Sequence, residues 1–110
     1  MTNPFQENQN DTDLQDTYKV DEPKKFKVLL HNDDYTTMEF VVLVLEDIFN
    51  KTTPEAHEIM MKVHENGVGI CGVYCFEVAE TKAQKVEQMA KAEGHPLKIT
   101  IEENEWSDNA

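Results

Sequence analysis

The chain has 110 residues, enough for one domain, and carries a formal net charge of −12. Its ten basic residues are all lysines. The absence of arginine argues against nucleic-acid and anionic-membrane partners, whose phosphates are gripped by Arg and Lys. No run approaches the roughly 18 apolar residues of a membrane span. Nine of the twelve excess negative charges fall in residues 1–22 and 102–110, so the middle of the chain is nearly balanced.

Residues 1–22 are rich in Asn, Asp, Gln and Thr. They cannot bury enough apolar surface to offset ordering, and a disordered acidic arm is expected there. Met1 to Phe5 has neither a basic start nor an apolar segment, so no secretory signal is expected and a cytoplasmic location is. Residues 23–103 are expected to form the core domain, and residues 104–110 an acidic tail containing Trp106.

Phe26 to Leu30 is rich in strand formers and stops at the turn signal Asn32-Asp33-Asp34. Thr36 and Glu39 stand three apart before an apolar run, the pattern of a capping box. A helix over about 38–49 follows, with Val41, Val44, Leu45 and Ile48 on one stripe. Phe40, Val42 and Leu43 make it apolar nearly all round, which predicts cover on more than one side. Thr53-Pro54-Glu55 reads as a cap followed by Pro and an acid at a second helix start. Ala56, Ile59, Met60 and Val63 form its stripe, and Asn66-Gly67 ends it.

Ile70 to Phe76 reads as a strand. A third helix, roughly 78–92, is expected to bury Ala79, Ala83, Val86 and Ala90 and to stop at Gly94 and Pro96. Leu97, Ile99 and Ile101 then alternate with Lys98 and Thr100, as in a half-buried strand. The order β-α-α-β-α-β predicts an α+β fold: a two-layer sandwich of three helices on a three-stranded antiparallel sheet.

Three features carry chemistry. Asn32, Asp33 and Asp34 leave a strand and face a helix start, and their oxygens call for a cation or N–H donors. His64 lies one position past the stripe residue Val63. Met38 sits in the first turn of its helix, beside the polar turn, where a core residue is not expected. Taken singly, each has an ordinary explanation as turn, helix end or core filler. Together they suit a ligand with one charged end and one apolar end.

No metal site or other cofactor is expected. His57 and His64 are nearly two helical turns apart, and Cys71 and Cys75 read as buried, unbonded, small apolar groups. Catalysis is not expected either: the one serine, Ser107, is in the tail, and neither cysteine has an evident activating base.

The run His31-Asn32-Asp33-Asp34-Tyr35-Thr36-Thr37-Met38-Glu39-Phe40-Val41 resembles the signature of the ClpS adaptors. So do Val63-His64-Glu65-Asn66-Gly67, Gly69-Ile70-Cys71-Gly72-Val73, Glu77-Val78-Ala79-Glu80-Thr81-Lys82 and Glu93-Gly94-His95-Pro96-Leu97. These motifs stand in family order over about 26–103. The resemblance implies a monomeric, non-enzymatic adaptor that binds N-degron substrates by a free, large hydrophobic first residue (Leu, Phe, Tyr or Trp). It would deliver them to the N-terminal domain of a Clp AAA+ unfoldase of ClpA or ClpC type.

Carried over by motif, the resemblance implies that Asn32, Asp33 and His64 receive the α-amino group. Thr36, Met38, Val41, Met60, Val63 and Leu97 would line the side-chain pocket, with Met38 as its gate. Glu77 and Lys82 would dock on the unfoldase, while His31 and Asp34 hold the turn in shape. Thr37 departs from the family, which commonly has Pro there. Two other readings compete. One is a phosphoacceptor site around Asp33 and Asp34, which needs a doubly wound parallel sheet. The other is an interaction module of ribosomal stalk type, without a peptide pocket.

Overall fold

The computed structural model describes residues 23–105. Strand β1 (Phe26–His31) is followed by helices α1 (Met38–Asp47) and α2 (Thr53–Asn66), then strand β2 (Val68–Tyr74), helix α3 (Phe76–Glu93) and strand β3 (Lys98–Glu103). The sheet order is β2-β1-β3, with both pairings antiparallel. This is the expected α+β architecture, and the parallel doubly wound sheet of a phosphoacceptor domain is excluded. The expected arm, residues 1–22, and Trp106 with the rest of the tail lie outside the described residues. Of the tail, residues 104 and 105 are described: just past the end of β3, the Asn104 N–H donates to the Lys25 carbonyl at 2.8 Å.

One buried cluster joins the layers. Val28 and Leu30 from β1, Val44 and Leu45 from α1, Ala56 from α2, Cys71 from β2 and Val86 from α3 are all shut off from solvent. The expected stripe of α3 is buried as read: Ala79, Ala83, Val86 and Ala90. On α1, Phe40 joins the buried face while Leu43 stays 42% exposed, so that helix is covered on one side and not all round.

The caps of α1 and α2 each lie one residue from the sequence reading. Thr37, not Thr36, caps α1, its hydroxyl accepting from the Phe40 N–H at 3.1 Å. The Pro common in the resembling family could not offer that acceptor. Thr52, not Thr53, caps α2. Its Oγ1 accepts from the Glu55 N–H at 3.3 Å, and its own N–H donates to Glu55 Oε1 at 2.9 Å, a reciprocal capping box. The Thr52 backbone N–H above all, and then the Thr52 side chain, hold the Glu55 carboxyl below its ordinary range.

Strand β2 runs Val68–Tyr74, two residues earlier than expected, and Phe76 opens α3. Its pairing with β1 skips a residue: Val28 faces Gly72 and Leu29 faces Ile70, leaving Cys71 as the extra residue of a bulge. The bulge shifts the inward phase. Gly69 and Cys71 point inward before it, and Tyr74 packs on the core after it. Cys75 is not a buried small group; it is exposed at the N-cap of α3. Cys71 is buried, and burial pushes its thiol up to about 12, against a small opposing pull from Lys51.

Candidate functional site

The ladder between β1 and β2 explains how residues 32 positions apart meet. His31, the last residue of β1, pairs with Val68, the first of β2. The chain leaving β1 and the chain arriving from α2 are therefore neighbours. The Asn32 N–H donates to the Gly67 carbonyl at 2.9 Å and ties the two segments. Gly67 terminates α2 in the left-handed region, φ 89°, where a side chain would be strained, and its N–H closes on the Val63 carbonyl. His64 is thus held in the last turn of α2, beside the turn that follows β1.

A concavity of about 270 Å³ opens at this junction. Its polar rim is Asn32, Asp33, Asp34, Thr36 and His64. Its apolar wall is Met38 and Val41 from α1 and Met60 and Val63 from α2. Met38 is 45% exposed, whereas Val41, Met60 and Val63 are buried. Met38 and Met60 also border a neighbouring hollow with Glu39, Val42 and His57. Among the residues expected at the site from sequence, Leu97 is the one that does not line this concavity; it is buried in the same core cluster as Val41, Met60 and Val63. Asp34, expected only to hold the turn, does line it. His31 faces elsewhere, its Nε2 2.8 Å from Thr100 Oγ1 across the sheet.

Asp33 is the most constrained group. Its Oδ1 accepts the Tyr35 N–H at 2.8 Å and the Thr36 N–H at 2.7 Å, and its Oδ2 accepts the Thr36 hydroxyl at 2.7 Å. Partial burial pushes its carboxyl up, but the Thr36 and Tyr35 bonds and the charge of His95 outweigh that and hold it below its ordinary value. The rim therefore presents a carboxylate at neutral pH. Carboxylate, amide oxygen and imidazole nitrogen are the acceptors an ammonium group needs, and the wall beside them is apolar.

Glu77 and Lys82 lie on α3, away from this concavity. Lys82 Nζ donates to the Ile48 carbonyl at the end of α1 at 2.7 Å. It also lies 5.8 Å and 5.3 Å from the ring centres of Phe49 and Tyr74. A larger concavity of about 530 Å³, with Leu29, Ile59, Val68 and Ile70 in its lining, was not anticipated from sequence. The continuous apolar character of β2 concealed which of its residues face outward. Among the described residues no three His, Cys, Asp or Glu side chains are grouped to hold a metal ion.

Residues 21–100 match the family of the ATP-dependent Clp protease adaptor protein ClpS. The chain belongs to the ClpS family. A ClpS adapter from Desulfatibacillum aliphaticivorans is 62% identical over 86 residues, 78% of this chain and 83% of that protein. One from Nitratidesulfovibrio vulgaris is 58% identical over 84% of this chain and 93% of its own length. The solved structure of Agrobacterium tumefaciens ClpS2 bound to L-phenylalaninamide shares 38% identity and superposes with a TM-score of 0.73, covering 76% of this chain and all of that one. This ClpS chain thus belongs among adaptors of the Clp protease, and no helix among its described residues is long and apolar enough to cross a membrane.

Proposed function

We propose that this chain captures proteins by a free N-terminal residue with a large hydrophobic side chain (Leu, Phe, Tyr or Trp) and, without catalysing a reaction itself, delivers them to a Clp AAA+ unfoldase in the cytoplasm. The observation that carries the reading is the convergence of Asn32, Asp33 and His64 with Met38, Val41, Met60 and Val63 on one concavity. At about 270 Å³ it lies just below the roughly 300–1,000 Å³ of pockets for drug-sized ligands, which suits one side chain and its amine. The phenylalanine amide bound by the Agrobacterium relative has the same two-ended chemistry, a free amine and an aromatic ring. Leu97 supports the apolar wall from the shared core, and Glu77 with Lys82 form the docking face for the unfoldase's N-terminal domain.

The magnitudes are adequate. An α-amino group is mostly cationic at neutral pH and offers three donors. Charge-assisted hydrogen bonds contribute about 1.5–3 kcal/mol each, and burying Leu or Phe about 1.5–3 kcal/mol. After ordering costs, a total of about −8 kcal/mol corresponds to micromolar affinity. Acetylating the amine removes its charge and two donors and leaves buried acceptors unpaired. Fluorescence anisotropy with a peptide beginning in Leu or Phe and with its acetylated twin tests the reading. Tight binding of the first and little of the second is expected; equal affinities would sink it.

A further inference from the structure

We propose that Thr36 is a positioning residue for the amine end of this site, acting through Asp33. The inference rests on the amine-binding reading above and adds to it a residue whose hydroxyl decides how the acceptors are presented.

A carboxylate has about four lone-pair positions. The Tyr35 and Thr36 N–H groups occupy both positions on Asp33 Oδ1, and the Thr36 hydroxyl occupies one on Oδ2. One acceptor position remains, on Oδ2, in a side chain that lines the concavity. Without the hydroxyl bond, Oδ2 would have no partner among the described residues, and only the two N–H bonds on Oδ1 would hold the carboxylate in place.

The same bond settles the polarity of Thr36 itself. A threonine hydroxyl has one proton and two lone pairs. Facing an ionised carboxylate at 2.7 Å, it must donate its proton there. Its oxygen, also on the concavity rim, is left with only lone pairs to present. A freely rotating hydroxyl would spend part of its time pointing a proton at an arriving ammonium group. The Asp33 bond removes that orientation before the ligand arrives, which is preorganisation of an acceptor ring around a cation.

This role differs from that of a wall residue. A wall acts on the ligand's side chain, whether or not an amine is present. A positioning residue for the amine matters only when the amine is there. Two peptides of one sequence separate the cases: one begins with phenylalanine, the other with 3-phenylpropionyl, which keeps the ring and lacks the amine. Both are measured by competition against the full chain and against Thr36→Val, nearly the same in shape, and Thr36→Ser, which retains the hydroxyl.

Thr36→Val is expected to weaken the amine-bearing peptide about tenfold, the size of one charge-assisted bond, and the amine-free peptide by less than about twofold. Thr36→Ser is expected to bind both within about threefold of the parent chain. If Thr36→Val does not fold, Thr36→Ser against Thr36→Ala isolates the hydroxyl in the same way. Equal losses for the two peptides, or no loss for either, overturn the proposal and leave amine recognition standing. If the parent chain binds the two peptides alike, amine recognition itself falls, and the role of Thr36 with it.

Discussion

Asp33 and its neighbours show how one turn serves both the fold and the rim of the proposed site. The Asp33 carboxylate gathers the N–H groups of Tyr35 and Thr36, which would otherwise stand free just before α1. Its folded-state carboxyl sits below the ordinary value of 3.8, so the unfolded chain takes up a proton at this position first as acid is added. The stability Asp33 contributes is present in full above about pH 4 and is lost as the pH falls through the lower, folded value. Denaturant unfolding of the parent and of Asp33→Asn should therefore differ by a constant margin between pH 7 and 5. That margin should narrow below pH 4, and a margin unchanged at pH 3 would contradict the assignment. Asp34, next door, has no such bonds among the described residues, which fits its separate place on the rim.

At the scale of elements, what matters is how closely α2 can approach β2. Gly69 lies in β2 against the α2 turn that carries the site. A Cβ at Gly69 would stand 2.7 Å from Val63 Cγ2, so the Val63 side chain or the strand must shift. Gly69→Ala should cost about 1–3 kcal/mol, as overpacking does. It should also weaken peptide binding, because the Val63 side chain it pushes on is part of the concavity wall. Urea unfolding and peptide anisotropy on the same variant check both, and undisturbed binding would show that the wall tolerates movement.

Element order, the stripes of α2 and α3, and the alternation of β3 were legible in the sequence, because each follows from a period of apolar residues. The cap positions were not. Helices α1 and α2 each begin at a Thr-Thr doublet, and either hydroxyl could serve. The structure divides the work: Thr37 and Thr52 cap, while Thr36 donates to Asp33 and Thr53 donates to Glu46 Oε2 at 2.8 Å. What distinguishes them is where a second carboxylate lies: Asp33 three residues before Thr36, and Glu46 seven residues before Thr53. The phase of β2 was hidden for a similar reason, since an apolar run does not announce a bulge. The convergence of Asn32, Asp33 and His64 on one concavity was legible only through motif order, because Asn32 and His64 meet through a ladder that no local pattern displays.

Across the whole molecule, Lys82 links parts distant in sequence. From α3 it reaches the carbonyl that ends α1, a helix with no basic residue in its own last turn. It does so over two aromatic rings, so its charge and its stem both contribute. Lys82→Met keeps the stem and should still lower stability by about 1–2 kcal/mol in denaturant titrations. Glu77→Ala, an exposed change, should stay within about 0.5 kcal/mol. Loss of unfoldase binding in Glu77→Ala would therefore report docking directly. The same loss in Lys82→Met would combine docking with a loosened junction of α1 and α3, and a Lys82→Met chain as stable as the parent would remove that distinction.

The bond from Asn32 to Gly67 closes the open end of the β1–β2 ladder, where strands ordinarily fray first. On the proposed reading, a cargo amine held between Asn32 and His64 would span that same end from the outside, like a rivet through two plates. Cargo and sheet would then tighten each other: whatever steadies the strand ends would sharpen the grip, and a gripped N-terminus would steady the strand ends in return.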